Sequence, residues 1–207
     1  MVNLLQDPWE YASAPFAGKN QLAVTEAEQR EIGQLGHPIS FPAKATVFIE
    51  GEPAVAVYKL TRGTAVLYKA MADGRKQIVD FALPGDFLNS PLANRNSCSV
   101  DAISEVTACQ FPRLRFLTFL AAHLTSLRQM LEASSQETEA AREHLLLLGR
   151  GTAEEKFVEF IISWRARVGS KGALSNLVPL PTSRRDVADY LGPVSYTHLT
   201  LPTNREV

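Results

Sequence analysis

The sequence predicts an α+β protein in which an antiparallel β-domain comes first, a long helix follows, and a small helical unit closes the chain. Three observations carry this reading. Short β-type runs broken by turn residues fill the chain from His37 to Pro112, a leucine heptad runs from Leu120 to Leu148, and a serine-capped helix signal spans Ser183–Gly192. At 207 residues and 45% hydrophobic, the chain has material for one large domain or two small ones.

Composition narrows the function classes. The formal net charge is −1, so no global basic signal points to nucleic acid and any such binding must come from a local cluster. Two cysteines, Cys98 and Cys109, make neither a disulfide framework nor the four-thiolate set of an iron–sulfur cluster, and both are expected as reduced thiols in a cytosolic protein. The opening MVNLLQDPWEYASAPFAG lacks a basic stretch followed by an apolar core, so no secretory leader is expected. The longest apolar run falls far short of the roughly 20 residues of a membrane span. A soluble, cytoplasmic protein without a membrane partner is therefore expected. There is no nucleophile–base pattern, no metal-spaced cluster and no phosphate-cradling glycine loop, which argues against an enzyme.

The elements can be justified in order. TEAEQREIGQL reads as a short helix, with Thr25 and Glu28 in capping-box spacing. The runs ATVFI, AVAVYKL, TAVLYKA, KQIVDFAL and CSVDAI follow, separated by Glu50-Gly51-Glu52-Pro53, Arg62-Gly63, Asp73-Gly74-Arg75 and Pro84-Gly85-Asp86. Strands this short, at this spacing, suggest a small barrel or sandwich rather than a βαβ fold.

After Pro112 the period changes to that of a helix. Leu120, Leu124, Leu127, Leu131, Ser134, Thr138, Ala141, Leu145 and Leu148 alternate steps of four and three, with polar residues around them. Such a stripe reads either as a helix on its own domain's core or as a two-stranded dimer seam, and its narrowness and charged flanks favour the seam. The small and polar centre at Ser134, Thr138 and Ala141 weakens the middle or lets two helices approach closely. Gly149-Arg150-Gly151 forms a hinge, and Thr152-Ala153-Glu154-Glu155 starts another helix whose apolar face is Phe157, Phe160, Ile161, Trp164 and Val168. Glycines 169 and 172 end it, and Leu177–Leu180 reads as extended. Ser183 then caps a last helix with Asp186 at its third position, and Val187, Tyr190 and Leu191 form its apolar side.

These parts, in this order, resemble the Crp/Fnr family of bacterial transcription regulators. The resemblance covers roughly residues 20–192 and is sharpest in REHLLLLGRGTAEEKFVEFI and LPTSRRDVADYLG, both similar to the FixK and Fnr branch of oxygen-limited metabolism and nitrogen fixation. It implies a double-stranded β-helix (jelly-roll) of the cyclic-nucleotide-binding type over 1–112, a dimerisation helix over 113–149 and a partial winged helix-turn-helix over 150–192. It also implies double-stranded DNA, a second copy of the chain and RNA polymerase as partners. Ser183 and Arg184, with Arg185 beside them, match positions that meet the DNA backbone, where a helix N-terminus, hydroxyl and guanidinium groups hold phosphates. The expected seam residues are Leu120, Leu124, Leu127, Leu131, Ala141, Leu145 and Leu148.

The resemblance also directs attention to an effector site. Cyclic-nucleotide binders of the family carry Gly-Glu and then an Arg-Ser or Arg-Thr pair. The matching stretch here, PGDFLNSPLANRNSCSVDAI, has no Gly-Glu after Phe87 and places Asn96 where the phosphate arginine belongs, with Arg95 one residue earlier. Gly85, Asp86, Arg95, Asn96 and Ser97 are the candidate lining of a weak pocket. No iron–sulfur cluster and no cyclic AMP are expected, and His37, His123 and His144 read as isolated core or surface histidines rather than haem ligands. The rival reading is a ligand-sensing β-roll module that never binds DNA.

The family reads bases with a glutamate, a serine and an arginine on a second helix after Gly192, and PVSYTHLTLPTNREV carries no such pattern. VSYTHLTLPT matches the translation of a transposon-based sequencing-library adapter, so residues 193–207 are expected to be a non-native tail on a chain cut within its helix-turn-helix.

Overall fold

The computed structural model describes residues 26–168, 180 and 182–192. The elements are α1 (Glu26–Leu35), β1 (His37–Phe41), β2 (Thr46–Phe48), β3 (Ala56–Arg62), β4 (Ala65–Ala70), β5 (Lys76–Ala82), β6 (Ser99–Ala102), β7 (Val106–Pro112), α2 (Arg113–Ala122), α3 (Leu124–Arg150), α4 (Ala153–Val168) and α5 (Arg184–Leu191). The strands form two antiparallel sheets, one in the order β1-β7-β3 and one in the order β2-β6-β4-β5. This is the jelly-roll expected from the sequence, with helices after it. The five strand runs named from sequence become β2 to β6, and two more, β1 and β7, complete the first sheet. Thr25 of the first capping box, Leu177–Pro179, glycines 169 and 172 and the tail from Pro193 lie outside the described residues.

Turn chemistry sets the hairpins. Gly63, between β3 and β4, has φ +85°, and a Cβ there would strike the Glu105 carbonyl oxygen, so both conformation and space require glycine. Between β4 and β5, Met71 and Gly74 close the turn with Met71 N–H on the Arg75 carbonyl at 2.8 Å and Gly74 N–H on the Met71 carbonyl at 2.9 Å.

The core lies in three contiguous parts. Phe48, Leu60, Leu88, Val100, Ala102 and Val106 fill the space between the sheets. Ile32 of α1 packs with Val57, Phe111, Phe116, Phe119 and Met130, binding α1, α2 and the start of α3 to the first sheet. Tyr68, Ile78, Phe81 and Leu83 of the second sheet meet Phe160 and Trp164 of α4 and Val187 and Leu191 of α5. Both cysteines are buried free thiols, and burial pushes Cys109 up to about 12. No helix among the described residues is long and apolar enough to cross a membrane.

The heptad is not one helix. The chain breaks at His123, whose backbone (φ −122°, ψ 85°) leaves the helical region. Its imidazole Nδ1 lies 2.8 Å from the Phe119 carbonyl oxygen, and its ring stacks on Phe119 at 4.3 Å. Leu120 therefore belongs to α2, is 1% exposed in the core, and leaves the seam it was assigned from spacing. The leucine period runs across the break because α2 and α3 each place leucines at helical intervals.

Lys59 places an amine in the core. It is 3% exposed on β3, opposite Cys109 of β7, with its ammonium 5.8 Å from the Phe87 ring centroid. Burial lowers its pKa from 10.5 to about 8. A base with a lowered folded pKa is bound more tightly by its proton in the unfolded chain, so stability rises with pH between about 8 and the ordinary lysine value. Lys59→Met is expected to gain stability over wild type near pH 7 and to lose that advantage by about pH 10, read by urea denaturation at both values. A difference independent of pH would show that the ammonium is not the cost.

Candidate nucleic-acid interface and β-roll cavity

The C-terminal helix is built from its cap upward. Ser183 is extended (φ −74°, ψ 156°), and its hydroxyl accepts the Asp186 N–H at 3.1 Å. The Asp186 carboxylate accepts in return from the Ser183 N–H at 3.1 Å, the Ser183 hydroxyl at 2.7 Å and the Thr182 hydroxyl at 2.8 Å. This is the capping box expected from sequence, and the Thr152–Glu155 box forms too. Arg184 and Arg185 stand exposed in the first turn of α5, while Val187 and Leu191 are buried on its other side. A hydroxyl, two guanidinium groups and the positive end of a helix thus share one exposed end.

The apolar side of α5 sits on the β-roll. Tyr190 packs against Phe81 (5.4 Å between centroids) and Phe160 (5.6 Å), and His144 of α3 stacks on Tyr190 at 4.2 Å. Burial lowers the pKa of His144 and so favours the neutral, stacked ring. The Gln77 side chain donates to the Asp189 carbonyl at 2.6 Å, joining β5 to α5 directly.

The expected seam residues divide by helix face. Leu124 (74% exposed), Leu131 (52%) and Leu145 (67%) recur every seven residues on α3, with exposed Thr138 between them. Ser134 and Ala141 are exposed, Leu127 is half-buried against the chain's own core, and Leu148 is half-buried near Gly192. Ser126, Met130 and Ala133 face inward and are buried.

The candidate effector residues do not converge. Gly85 (φ +102°) and Asp86 form a tight turn in which the Asp86 carboxylate accepts the Leu83 N–H at 2.9 Å. Arg95 donates to the Gly51 carbonyl at 2.6 Å, bridging two exposed loops. Asn96 is buried, its amide donating to the Ile49 carbonyl at 3.2 Å. Asp86 and Ser97 do line a cavity of about 220 Å³, which also takes in Asp80, Glu137 and Arg167. Sequence reading missed Arg167 altogether. From the last turn of α4 it donates to Asp80 at 2.9 Å, to Asp86 at 3.0 Å and to the Phe81 carbonyl. Among the described residues, no group of three or more His, Cys, Asp or Glu side chains could hold a metal ion.

Burial pulls the Asp186 carboxyl up, but hydrogen bonds from Ser183 and Thr182 outweigh it and hold the group below its ordinary range. A depressed carboxylate contributes stability above its unfolded pKa and loses it as pH falls through the folded value. Ser183→Ala is expected to weaken α5 by about 1 kcal/mol, seen as faster amide exchange confined to that helix. Asp186→Asn should remove the acid loss of α5 protection below about pH 4, and persistence of that loss in the variant would refute the box as its source.

Comparisons with known proteins agree with this architecture. A family model described as a cyclic nucleotide-binding domain matches residues 38–123. The nitrogen fixation regulation protein FixK of Bradyrhizobium diazoefficiens is 45% identical over 166 residues, covering 80% of this chain and 70% of that protein. The transcriptional activatory protein AadR of Rhodopseudomonas palustris is 42% identical with the same coverage. The solved structure of FixK2 from Bradyrhizobium japonicum superposes with a TM-score of 0.70 at 30% identity, over 77% of this chain and 78% of that one. The fold, the order of its parts and these identities place the chain in the Crp/Fnr family of transcription regulators.

Proposed function

We propose that this chain is a DNA-binding transcription regulator of the oxygen-limitation or nitrogen-fixation type, acting on palindromic promoter sites as a homodimer. The observation that carries the reading is the exposed, basic, capped end of α5, presented by a chain of this family. Ser183, Arg184 and Arg185 meet phosphates there, and base reading belongs to a second helix after Gly192. Leu124, Leu131 and Leu145, uncovered at one heptad position, are the seam with the second copy. RNA polymerase is the further partner, as suits relatives named as transcriptional activators.

The regulator works without an iron–sulfur cluster or cyclic AMP. Asn96 replaces the phosphate arginine, Arg95 is committed to the Gly51 carbonyl, and the described cavity lining carries three carboxylates, Asp80, Asp86 and Glu137, against the single cation Arg167, which is already paired with two of them. Those charges oppose a cyclic phosphate.

Two measurements test the reading. A chain given a family-like helix after Gly192 is expected to bind a palindromic duplex with half-sites about one helical turn apart, measured by fluorescence anisotropy. Absence of binding at low salt to any Fnr-like palindrome would overturn it. The chain as it stands should show weak, salt-sensitive affinity, with Arg184→Ala and Arg185→Ala each lowering the salt slope by about one. For the seam, light scattering at micromolar concentration is expected to give a dimer that Leu124→Glu with Leu131→Glu converts to monomer.

A further inference from the structure

We propose that the acidic wall of the β-roll cavity, at Asp80 and Asp86, is a guanidinium site, and that its ligand is the chain's own Arg167. The cavity is lined by three carboxylates, Asp80, Asp86 and Glu137, and Arg167 is the one cation on its described lining. The charge of the site therefore selects a cation and rejects an anion. A planar guanidinium suits it better than a compact ammonium, because the partners lie around a fork: Nη1 meets Asp80, and Nη2 meets Asp86 and the Phe81 carbonyl. Arg167 is 13% exposed and Asp86 9%, so the pair is shielded from solvent.

The consequence lies in which elements this ligand joins. Asp86 sits in the Pro84-Gly85-Asp86 turn, and the carboxylate oxygen that receives Arg167 also holds the Leu83 N–H. Asp80 is on β5, and Arg167 closes α4. One side chain from the helical unit thus binds the wall of the β-roll cavity and joins the turn, the strand and the helix. Because α4 and α5 share the core around Trp164, seating Arg167 also fixes where the Ser183 end of α5 stands. Tethering makes the ligand intramolecular, at high effective concentration, and an external cation gains access by displacing it. Opening this latch loosens the fixed orientation of α4 and α5 on the β-roll, while the aromatic cluster still holds them there.

The test uses the full chain, amide hydrogen exchange and guanidinium ion as the probe. Arg167→Ala is expected to speed exchange in α4 and α5 by about tenfold or more while β3, β6 and β7 keep their protection. Low millimolar guanidinium should restore the lost protection, and urea at the same concentration should not. Asp86→Asn should reproduce the effect without rescue. Should Arg167→Ala fail to fold, Arg167→Gln keeps most of the bulk, removes the charge and is expected to show the same selective loss of protection in α4 and α5, without guanidinium rescue. Unchanged exchange in α4 and α5, or uniform loss across strands and helices with no guanidinium rescue, would overturn the latch. The readout does not involve DNA, so its failure leaves the DNA-binding reading standing, and the reverse also holds.

Discussion

The placement of the C-terminal helices depends on one irregularity in β5. Leu67 and Tyr68 are consecutive on β4, yet their partners on β5 are Asp80 and Ile78, so Val79 is an extra residue between them. Ile78 and Phe81 are three positions apart and in a regular strand would point to opposite faces. The bulge restores them to the same face, beside Val66 and Tyr68 of β4. That face is the floor on which Phe160, Trp164, Val187 and Leu191 rest. Without the extra residue Ile78 would turn away, and the helices would lose half of the strand that carries them.

Asp80, beside the bulge on the edge strand of the sheet, takes both the Phe81 N–H at 2.8 Å and Arg167 on its carboxylate. Apolar contact and ion pair then divide the work between them. The aromatic cluster supplies most of the burial that holds the two units together, since each aromatic side chain removes a large apolar area from water. The Arg167 pairs add less net stability, because desolvating the charges offsets much of their attraction. Their contribution is orientation: a fork with three fixed acceptors tolerates little sliding of α4, whereas rings in a cluster tolerate more.

Local signals in the sequence were legible and distant ones were not. Ser183 and Asp186, Thr152 and Glu155, and Gly63 announce themselves because cap and turn chemistry acts within four residues. Such signals give a small barrel or sandwich followed by helices, and the resemblance carried by the named motifs adds the jelly-roll and the family. β1 escaped because Pro38 lacks a ladder N–H and reads as a strand breaker, and the strand pairs only with β7, at the sheet's edge. The stop at His123 was hidden because the leucine period continues across it, while its marks, the non-helical backbone and the imidazole held on Phe119, exist only in the folded chain. At the candidate site, the cap and exposed arginines of α5 could be named in advance. The role of Arg167 could not, since its carboxylate partners lie more than eighty residues earlier in the chain.

The two faces of α3 show how one helix serves both units. Its first half is held from inside: Ser126, Met130 and Ala133 are buried and Leu127 leans on the α1–α2 core, so the helix cannot rotate without breaking that packing. Fixing that face fixes the other, and Leu124, Leu131 and Leu145 stay in register along solvent. The far end of α3 carries the same constraint to the helical unit, where His144 stacks on Tyr190. The rotation of α3, and with it the exposure of the leucine stripe, is therefore held at one end by the β-roll core, while the other end meets α5 through the His144–Tyr190 stack.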